Sequence, residues 1–240
     1  MRTIGLIGGM SWESSAIYYR LLNEQVRHRL GGLHSAQCLL YSVDFADIEQ
    51  RQRTGDWDGA GQILATAGQS LQRAGAEALL LCTNTMHKVA DQISSATTIP
   101  LLHIVDATAQ AIQRAGLNRV LLLATRFTME QAFYRERMQR LFGVELLIPD
   151  AAEREDIHRI IYQELCLGVV RPESKQRYLE IIQRHGEAGG QGVILGCTEI
   201  TMLIQPGDTR LPQFDSTALH AQAAVDWMLQ PMPQATPSAG

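Results

Sequence analysis

Short apolar segments alternate along the chain with longer segments in which apolar residues recur at helical spacing. The apolar segments predict strands at residues 3–8, 38–43, 77–82, 101–104, 119–124, 144–148, 191–196 and 211–214. The longer segments predict helices at residues 12–29, 57–73, 86–95, 106–115, 128–141, 152–166, 173–187 and 217–229, and residues 44–52 form a loop or a short helix. Such alternation indicates parallel sheets covered on both faces, so the predicted fold class is α/β.

The chain contains an internal repeat. Residues 74–85 (Ala-Gly-Ala-Glu-Ala-Leu-Leu-Leu-Cys-Thr-Asn-Thr) align without a gap to residues 188–199 (Ala-Gly-Gly-Gln-Gly-Val-Ile-Leu-Gly-Cys-Thr-Glu). This alignment sets Thr83 opposite Cys197 and Asn84 opposite Thr198. Residues 4–10 match residues 120–126 at nearly the same offset. The repeat indicates a duplicated α/β unit, and chance similarity between buried strands is the alternative.

We therefore expect two pseudo-symmetric lobes, each a parallel sheet flanked by helices, with the active site in the cleft between them. The N-terminal lobe is predicted at residues 1–116 and the C-terminal lobe at residues 117–214. The last helix, within residues 215–229, is expected to pack back on the first lobe. Residues 230–240 are rich in Pro and Ala and are predicted to be a disordered tail.

Polar turns follow four of the predicted strands, at residues 8–11, 83–85, 125–128 and 197–199. In open parallel sheets, ligands bind beyond the carboxyl ends of the strands. Several of these turns precede helices, whose N-termini favour a carboxylate or another anion. If the two lobes face each other, the four turns converge on one cleft.

Cys197 is the most reactive residue type in these turns. A thiol at a strand end near a helix N-terminus can have its pKa lowered and serve as a thiolate base or nucleophile. The alternative is a buried structural cysteine, and the repeat favours the functional interpretation. Cys82 aligns with Gly196 inside the strand, so its side chain is expected to point away from that of Thr83. Cys38 and Cys166 are interpreted as packing residues.

The composition limits the classes of function. The 240-residue chain has a net charge of −4 and no basic segment, which argues against nucleic acid or an anionic membrane surface as a partner. No apolar run is long enough to span a bilayer. The N-terminus begins with strand-like sequence instead of a signal peptide, and the four cysteines are widely spaced without a CxxC motif. These features predict a cytoplasmic protein with reduced thiols.

The sequence lacks the motifs of common cofactor sites. Residues 5–9 do not have the spacing of a dinucleotide fingerprint, and no P-loop lysine follows them. Lys88 falls inside a helix beyond the nearest turn, so it is poorly placed as a Schiff-base lysine for pyridoxal phosphate. Cys82, His87 and Cys197 show no zinc-ligand spacing. We expect neither a cofactor nor a metal.

Taken together, four motifs resemble those of the aspartate/glutamate racemase superfamily, most closely its bacterial amino-acid racemase branch. They are residues 5–12 (Gly-Leu-Ile-Gly-Gly-Met-Ser-Trp), 83–87 (Thr-Asn-Thr-Met-His), 125–128 (Thr-Arg-Phe-Thr) and 196–199 (Gly-Cys-Thr-Glu), in family order. The resemblance covers residues 1–229. It implies two lobes, a homodimer and racemisation without a cofactor, in which cysteines on opposite faces of the substrate Cα take the proton and return it.

The chain departs from the family pattern at the first catalytic cysteine, which is Thr83 here. A thiol ionises near pH 8.5, whereas an aliphatic hydroxyl is a far weaker acid, so Thr83 is a poor general base. The resemblance therefore implies Cys197 as the base on the L face and Thr83 on the opposite face. The expected substrate is L-aspartate or L-glutamate, and the expected racemase is slow or biased towards the L enantiomer.

The resemblance also implies which residues surround the amino acid. They are Met10, Gln52, Asn84, Thr85, Thr125, Thr128 and Thr198. Gln52 stands where relatives place a group for the side-chain carboxylate, often an arginine. A neutral glutamine could admit less acidic amino acids, while Arg51 and Arg53 flank it in what is otherwise a solvated segment. The sequence leaves the roles of His87 and Glu199 open.

Two other functions remain open on the sequence. Arylmalonate decarboxylases also have a cysteine at the position of Cys197 and none at the position of Thr83. They protonate an enediolate from one side. A non-catalytic amino-acid binding protein that lost its first cysteine is the other alternative. Exchange of the Cα proton of L-aspartate separates a racemase from both.

Overall fold

The computed structural model describes residues 1–231, in which the strands form two four-stranded sheets. The strands are β1 (Ile4–Gly8), β2 (Cys38–Ser42), β3 (Ala78–Leu81), β4 (Leu101–Leu102), β5 (Arg119–Leu123), β6 (Glu145–Leu147), β7 (Val193–Leu195) and β8 (Gln213–Asp215). The first sheet has the order β2-β1-β3-β4 and the second the order β6-β5-β7-β8. All six pairings are parallel. The two lobes thus repeat one topology, and the predicted fold class is confirmed.

Helices connect the strands and cover the sheets. They are α1 (Trp12–Leu30), α2 (Phe45–Thr54), α3 (Trp57–Arg73), α4 (Ala90–Ser95), α5 (Ile104–Arg114), α6 (Arg126–Glu130), α7 (Ala132–Phe142), α8 (Ala151–Gln163), α9 (Pro172–Glu187), α10 (Ile200–Leu203) and α11 (Ser216–Leu229). Two 3₁₀ turns span Thr85–Val89 and Leu165–Leu167. Side-chain caps begin several helices: Ser11 accepts from the Ser14 amide at α1, and Asp44 accepts from the Ala46 amide at α2.

The central strands are buried on both faces, as the continuous apolar runs predict. Every residue of β1 and β3 is buried. Because successive side chains point to opposite faces, Ile7 and Leu81 belong to the core cluster on the α3 side, whereas Leu6 and Leu80 belong to the cluster on the α1 side. A third cluster fills the second lobe around β5 and β7.

Two helices cross from one half of the chain to the sheet of the other half. Ile104 and Ile112 of α5 pack in the core cluster of the second sheet, although α5 follows β4 of the first. In turn, Ala224 and Met228 of α11 pack with β1 and α1 in the core of the first sheet. The sequence places α5 with residues 1–116, and that boundary between folding units stays a prediction.

The structure differs from the predicted elements at several places. Residues 44–52 were expected to be a loop or a short helix; the helical alternative is confirmed, and α2 extends beyond them to Thr54. The predicted helix at 128–141 is two helices, α6 and α7. The predicted helix at 86–95 begins as a 3₁₀ turn, and α10 was not predicted. Apart from Gln230 and Pro231, the predicted disordered tail lies outside the described residues.

Candidate active site

A single cleft lies where the carboxyl ends of the two sheets face each other. It encloses about 600 Å³ of space that includes its opening to solvent. Eight of the nine site residues predicted from the sequence line it: Met10, Gln52, Thr83, Asn84, Thr85, Thr125, Cys197 and Thr198. The ninth, Thr128, lies behind the surface and hydrogen-bonds to Thr85. The converging turns predicted from the four strand ends therefore meet in one place.

Thr83 and Cys197 occupy equivalent positions in the two lobes. Thr83 follows β3 and Cys197 follows β7, and each of these strands lies next to the first strand of its own lobe. Both side chains line the cleft. Cys82, one residue earlier than Thr83, is fully buried in the core between α1 and the sheet, and burial raises the pKa of its thiol. The alternation of side chains along a strand therefore leaves Thr83, and not Cys82, at the cleft.

The Cys197 thiol donates a hydrogen bond to the carboxylate of Glu199. The Sγ–Oε2 distance is 2.8 Å, and the same oxygen accepts from Thr198 Oγ1 at 2.8 Å. Burial and the charge of Glu199 raise the pKa of Cys197 well above its ordinary value. The sequence-based expectation that this thiol has a lowered pKa is wrong, because burial and then a carboxylate within hydrogen-bond distance outweigh any benefit from the following short helix.

Three threonine hydroxyls form a closed ring that joins the lobes. Thr85 Oγ1 lies 3.1 Å from Thr125 Oγ1 and 3.0 Å from Thr128 Oγ1, and the latter two are 3.3 Å apart. Three hydroxyls have three protons, so a ring of three hydrogen bonds uses every donor. A bound carboxylate only accepts hydrogen bonds, so these hydroxyls must turn out of the ring to bind it.

Asn84 presents an unused acceptor. Its Nδ2 donates to Ser216 Oγ at 3.0 Å, and Ser216 in turn donates to the Leu195 carbonyl at 3.0 Å. These bonds fix the amide orientation and leave Oδ1 buried without a hydrogen-bond partner among the described residues. An ammonium group is a donor that would satisfy this oxygen. Ser216 was not predicted as a site residue, because it begins α11, far from the strand-end motifs in sequence.

Gln52 is buried in the wall of the cleft, where its Nε2 lies 2.9 Å from Met86 Sδ. Arg51, beside it in sequence, instead pairs with Asp56 on the exposed side of α2. Neither Arg51 nor Arg53 lines the cleft. Among the described residues that line the cleft, Glu199 is the one Asp, Glu, Lys, Arg or His side chain.

His87 holds the turn that carries Thr83. Its Nε2 accepts from the Ile104 amide at 3.2 Å, so Nδ1 has the proton and donates to the Thr83 carbonyl at 2.7 Å. Burial is the main cause of a pKa well below the ordinary value for His87. A neutral His87 thus links the Thr83 turn to the start of α5.

Phe45, Ile161, Tyr162 and Cys166 complete the apolar part of the cleft. Ile161 and Tyr162 were not predicted, and Cys166 was assigned to packing, because α8 and the following 3₁₀ turn show no strand-end motif. Phe45, the first residue of α2, was also not predicted. An apolar face on α8 was the available signal, but it does not distinguish core from cleft. In residues 1–231, no group of three or more His, Cys, Asp or Glu side chains is arranged to hold a metal ion.

Comparison with known proteins assigns the family. The family model described as Asp/Glu/hydantoin racemase matches residues 7–224. This chain belongs to that family. The two-lobed fold, with its cleft between equivalent strand ends, agrees with this family. The relatives support amino-acid racemisation as the class of reaction.

Relatives of this racemase-family chain include a named racemase and proteins with solved structures. RacX of Bacillus subtilis (strain 168), a broad specificity amino-acid racemase, is 22% identical over 239 residues, covering 94% of this chain and 98% of RacX. A structure from Yersinia pestis, described as a putative Asp/Glu racemase, is 53% identical with a TM-score of 0.92, covering 96% of this chain and 100% of that one. An aspartate racemase homologue from Pyrococcus horikoshii OT3 is 34% identical with a TM-score of 0.86 and the same coverage. In the part of the racemase-family chain that the structure describes, no helix is long and apolar enough to cross a membrane.

Proposed function

We propose that the chain racemises an amino acid by 1,1-proton transfer without a cofactor, with L-aspartate or L-glutamate as substrate. The observation that carries this proposal is the placement of Cys197 and Thr83 at equivalent strand ends on one cleft. Groups contributed by the two lobes of a pseudo-symmetric pair are suited to approach a substrate carbon from opposite faces.

Cys197 acts as the base on the L face, and Thr83 stands on the D face. Cys197 removes the Cα proton, and the electron pair moves towards the α-carboxylate as an enediolate. Thr83 donates a proton to the opposite face and inverts the configuration. Because an aliphatic hydroxyl is a poor base, the reverse path from the D enantiomer is slow, and reversibility makes turnover from the L enantiomer correspondingly slow.

The substrate backbone binds between neutral donors and acceptors. The threonine ring supplies hydroxyl donors to the α-carboxylate once it opens, and the free Oδ1 of Asn84 accepts from the ammonium group. Donors that are fixed before the reaction stabilise the charge that develops on the carboxylate, which is typically the largest single contribution to such catalysis. Met10, Gln52 and Thr198 complete the wall around the substrate.

A one-sided protonation reaction is the second candidate function. A two-base racemase has a cysteine at each of two positions, which Thr83 and Cys197 occupy here, so one thiol is present there. An arylmalonate-decarboxylase-like enzyme needs no more than one. Loss of CO₂ from an arylmalonate, measured by product formation, is its direct assay. An amino acid that binds without exchange of its Cα proton would support a non-catalytic binding protein instead.

We further propose that the chain forms a homodimer and works in a reducing compartment such as the cytoplasm. Cys38, Cys82, Cys166 and Cys197 are all free thiols in the structure. Sizing chromatography coupled to light scattering tests the dimer, and an elution at the mass of one chain would contradict it.

Proton exchange in deuterium oxide tests the racemase. The protein is incubated with L-aspartate and then L-glutamate, and the Cα proton signal is followed by NMR. We expect exchange in the wild type and a loss of about 10²–10⁴-fold in Cys197→Ala, since the general base is gone. Cys38→Ala is not suitable as a control, because Cys38 is half-buried and packs against the core of the first lobe. Glu187→Gln, on the exposed end of α9, serves as the control variant. Undiminished exchange in Cys197→Ala would exclude Cys197 as the base.

A further inference from the structure

Glu199 contacts the reactive thiol directly, and the function proposed above does not use it. Its Oε2 accepts hydrogen bonds from Cys197 Sγ and Thr198 Oγ1, both at 2.8 Å. The side chain is half-buried in the cleft wall, and no Lys, Arg or His of the described residues lines the cleft beside it. The carboxyl group therefore has two hydrogen-bond donors and no cationic partner among the described residues of the cleft, and loss of those donors would cost free energy.

This contact creates a difficulty for a simple thiolate base. Burial and the negative charge of Glu199 both raise the pKa of Cys197, so the thiol keeps its proton at neutral pH. The other titratable groups that face it, Tyr162 of α8, Cys166 after α8 and Tyr178 of α9, also have pKa values raised by burial. They are neutral at pH 7 and contribute no positive charge. A base that removes a Cα proton must nevertheless have lost its own.

We propose that Cys197 and Glu199 share one proton and act as a single acid–base pair, in which Glu199 accepts the thiol proton when Cys197 removes the proton from Cα. The proposal rests on the function proposed above, in which Cys197 is the base. Within it, Cys197 touches the substrate and Glu199 acts through Cys197.

The transfer balances in protons and charge. The S–H bond breaks as an O–H bond forms on Glu199, and the sulfur is then a thiolate beside a neutral carboxylic acid. The thiolate forms a new S–H bond with the Cα proton, and the C–H electron pair moves into the substrate enediolate. One negative charge thus passes from Glu199 to sulfur to substrate, and the Cys197 thiolate never lies beside an ionised Glu199.

In water, the thiol-to-carboxylate transfer is uphill by roughly four pKa units, the difference between ordinary cysteine and glutamate values. In the cleft the pair has one negative charge in either arrangement, so burial penalises the two arrangements similarly. The 2.8 Å hydrogen bond already aligns the proton with its acceptor. This arrangement makes the reactive form available without a proton leaving to solvent.

A purely electrostatic role for Glu199 predicts a different pH dependence of Cα exchange from that of a shared proton. If Glu199 only raises the thiol pKa, the active form is the thiolate made by loss of a proton to solvent. Exchange at Cα would then rise with pH along the same curve as the thiolate, and Glu199→Gln would shift both curves to lower pH together.

The test compares two pH profiles in the full-length protein. Alkylation of Cys197 by iodoacetamide, followed by mass spectrometry of its peptide, reports the thiolate without any substrate. Cα exchange in deuterium oxide, with the acid that exchanges faster, reports the reaction. For the wild type we expect exchange to be independent of pH between pH 6.5 and 8 while alkylation is still rising, because the shared proton never has to leave.

Glu199→Gln removes the acceptor and keeps the shape. We expect faster alkylation at pH 6 than in the wild type, because a negative charge is gone, but about 10²-fold slower exchange. The exchange of the variant should rise with its own alkylation curve. Glu199→Asp keeps a carboxylate and should restore part of the exchange at pH 6, and Glu187→Gln controls for the loss of one surface charge.

The outcomes separate this proposal from the function on which it rests. If exchange follows alkylation in both proteins and rises at pH 6 in Glu199→Gln, the shared proton is excluded while Cys197 remains the base. If exchange survives in Cys197→Ala, the proposed function itself fails. Should Glu199→Gln not fold, the wild-type comparison still decides, because exchange that tracks alkylation there contradicts the pair.

Discussion

In the proposed function, Thr83 is the residue that distinguishes this chain from a two-cysteine racemase. Its hydroxyl can donate a proton to a strongly basic carbanion, but it is a poor acceptor of a Cα proton. The consequence is an asymmetry between exchange and inversion. Under the proposed mechanism, exchange on the L face needs only Cys197, whereas inversion needs both side chains.

We predict that Thr83→Cys speeds the formation of D-aspartate from L-aspartate by at least about tenfold, because a thiol is the better acid and base. Thr83→Val, which has nearly the same shape without the hydroxyl, should keep Cα exchange of the L enantiomer and lose D product. Chiral chromatography measures the product, and NMR in deuterium oxide measures the exchange. D product from Thr83→Val at the wild-type rate would show that Thr83 does not return the proton.

Gln52 is the residue through which the cleft can be tuned for acidic substrates. Its amide reaches Met86 inside the wall, and the cleft has no cation of its own among the described residues. We predict that Gln52→Arg lowers KM for L-aspartate about tenfold, since a hydrogen bond to a charged group contributes roughly 1.5–3 kcal/mol. Gln50→Arg, on the exposed side of α2, is the matched control. An equal effect of both variants would point to net charge instead of a contact.

At the scale of elements, the turn after β1 depends on a glycine. Gly9 has φ of +94°, and a Cβ there would overlap the backbone of Val43, next to β2. Its amide also donates to Ser15 Oγ at 2.8 Å, which ties the turn to α1. This turn presents Met10 to the cleft.

We predict that Gly9→Ala destabilises the protein by about 1–3 kcal/mol and also lowers Cα exchange, because the backbone must move away from Val43. Gly207→Ala is the matched control: its φ is +91°, but no atom lies within 4 Å of the added Cβ. Urea unfolding of the two variants separates steric overlap from the cost of the φ angle alone. Equal losses of stability in both would contradict the overlap.

The sequence predicted the elements best where hydrophobic burial alone decides them. The continuous runs of β1, β3 and β5 specify buried parallel strands, and polar residues directly after them specify the cleft. The predicted elements were less accurate where tertiary packing selects between similar backbone conformations, as in the 3₁₀ turn Thr85–Val89 or the break between α6 and α7. The Cys197–Glu199 hydrogen bond could not be predicted, because the spacing of two residues does not determine whether the side chains turn towards each other.

At the scale of the whole molecule, three histidines cluster where the lobes meet: His87 and His220 are buried, and His103 is half-buried. The ring centroids of His103 and His220 are 4.5 Å and 5.6 Å from that of His87. Each imidazole accepts a hydrogen bond: His87 from the Ile104 amide, His103 from the Val105 amide and His220 from the Tyr18 hydroxyl. Mainly because of burial, the pKa of His103 falls to about 3 and that of His220 to about 4, and His87 also lies well below its ordinary value.

We predict that the free energy of unfolding falls as the pH drops below about 6.5, the value at which histidines of the unfolded chain take up protons. A lowered pKa in the folded state means stability that is present above pH 6.5 and lost towards pH 4. Each histidine contributes a slope of roughly 1.4 kcal/mol per pH unit within that window. Urea unfolding between pH 7.5 and 5 measures it, and His220→Gln should reduce the slope. Exposed His28→Gln is the control and should leave the slope unchanged.

The exchange of helices between the halves also has a consequence for how the protein is made. The first sheet is complete as soon as β4 leaves the ribosome, but the helix that covers part of it, α11, is synthesised after all the other elements described in residues 1–231. Until then, α1 alone covers the apolar face that includes Ile4 and Leu6, and the part of it beneath α11 stays open to solvent or to other chains. The nascent N-terminal half therefore depends on the far end of its own chain, and premature termination before α11 would release an aggregation-prone fragment instead of half an enzyme.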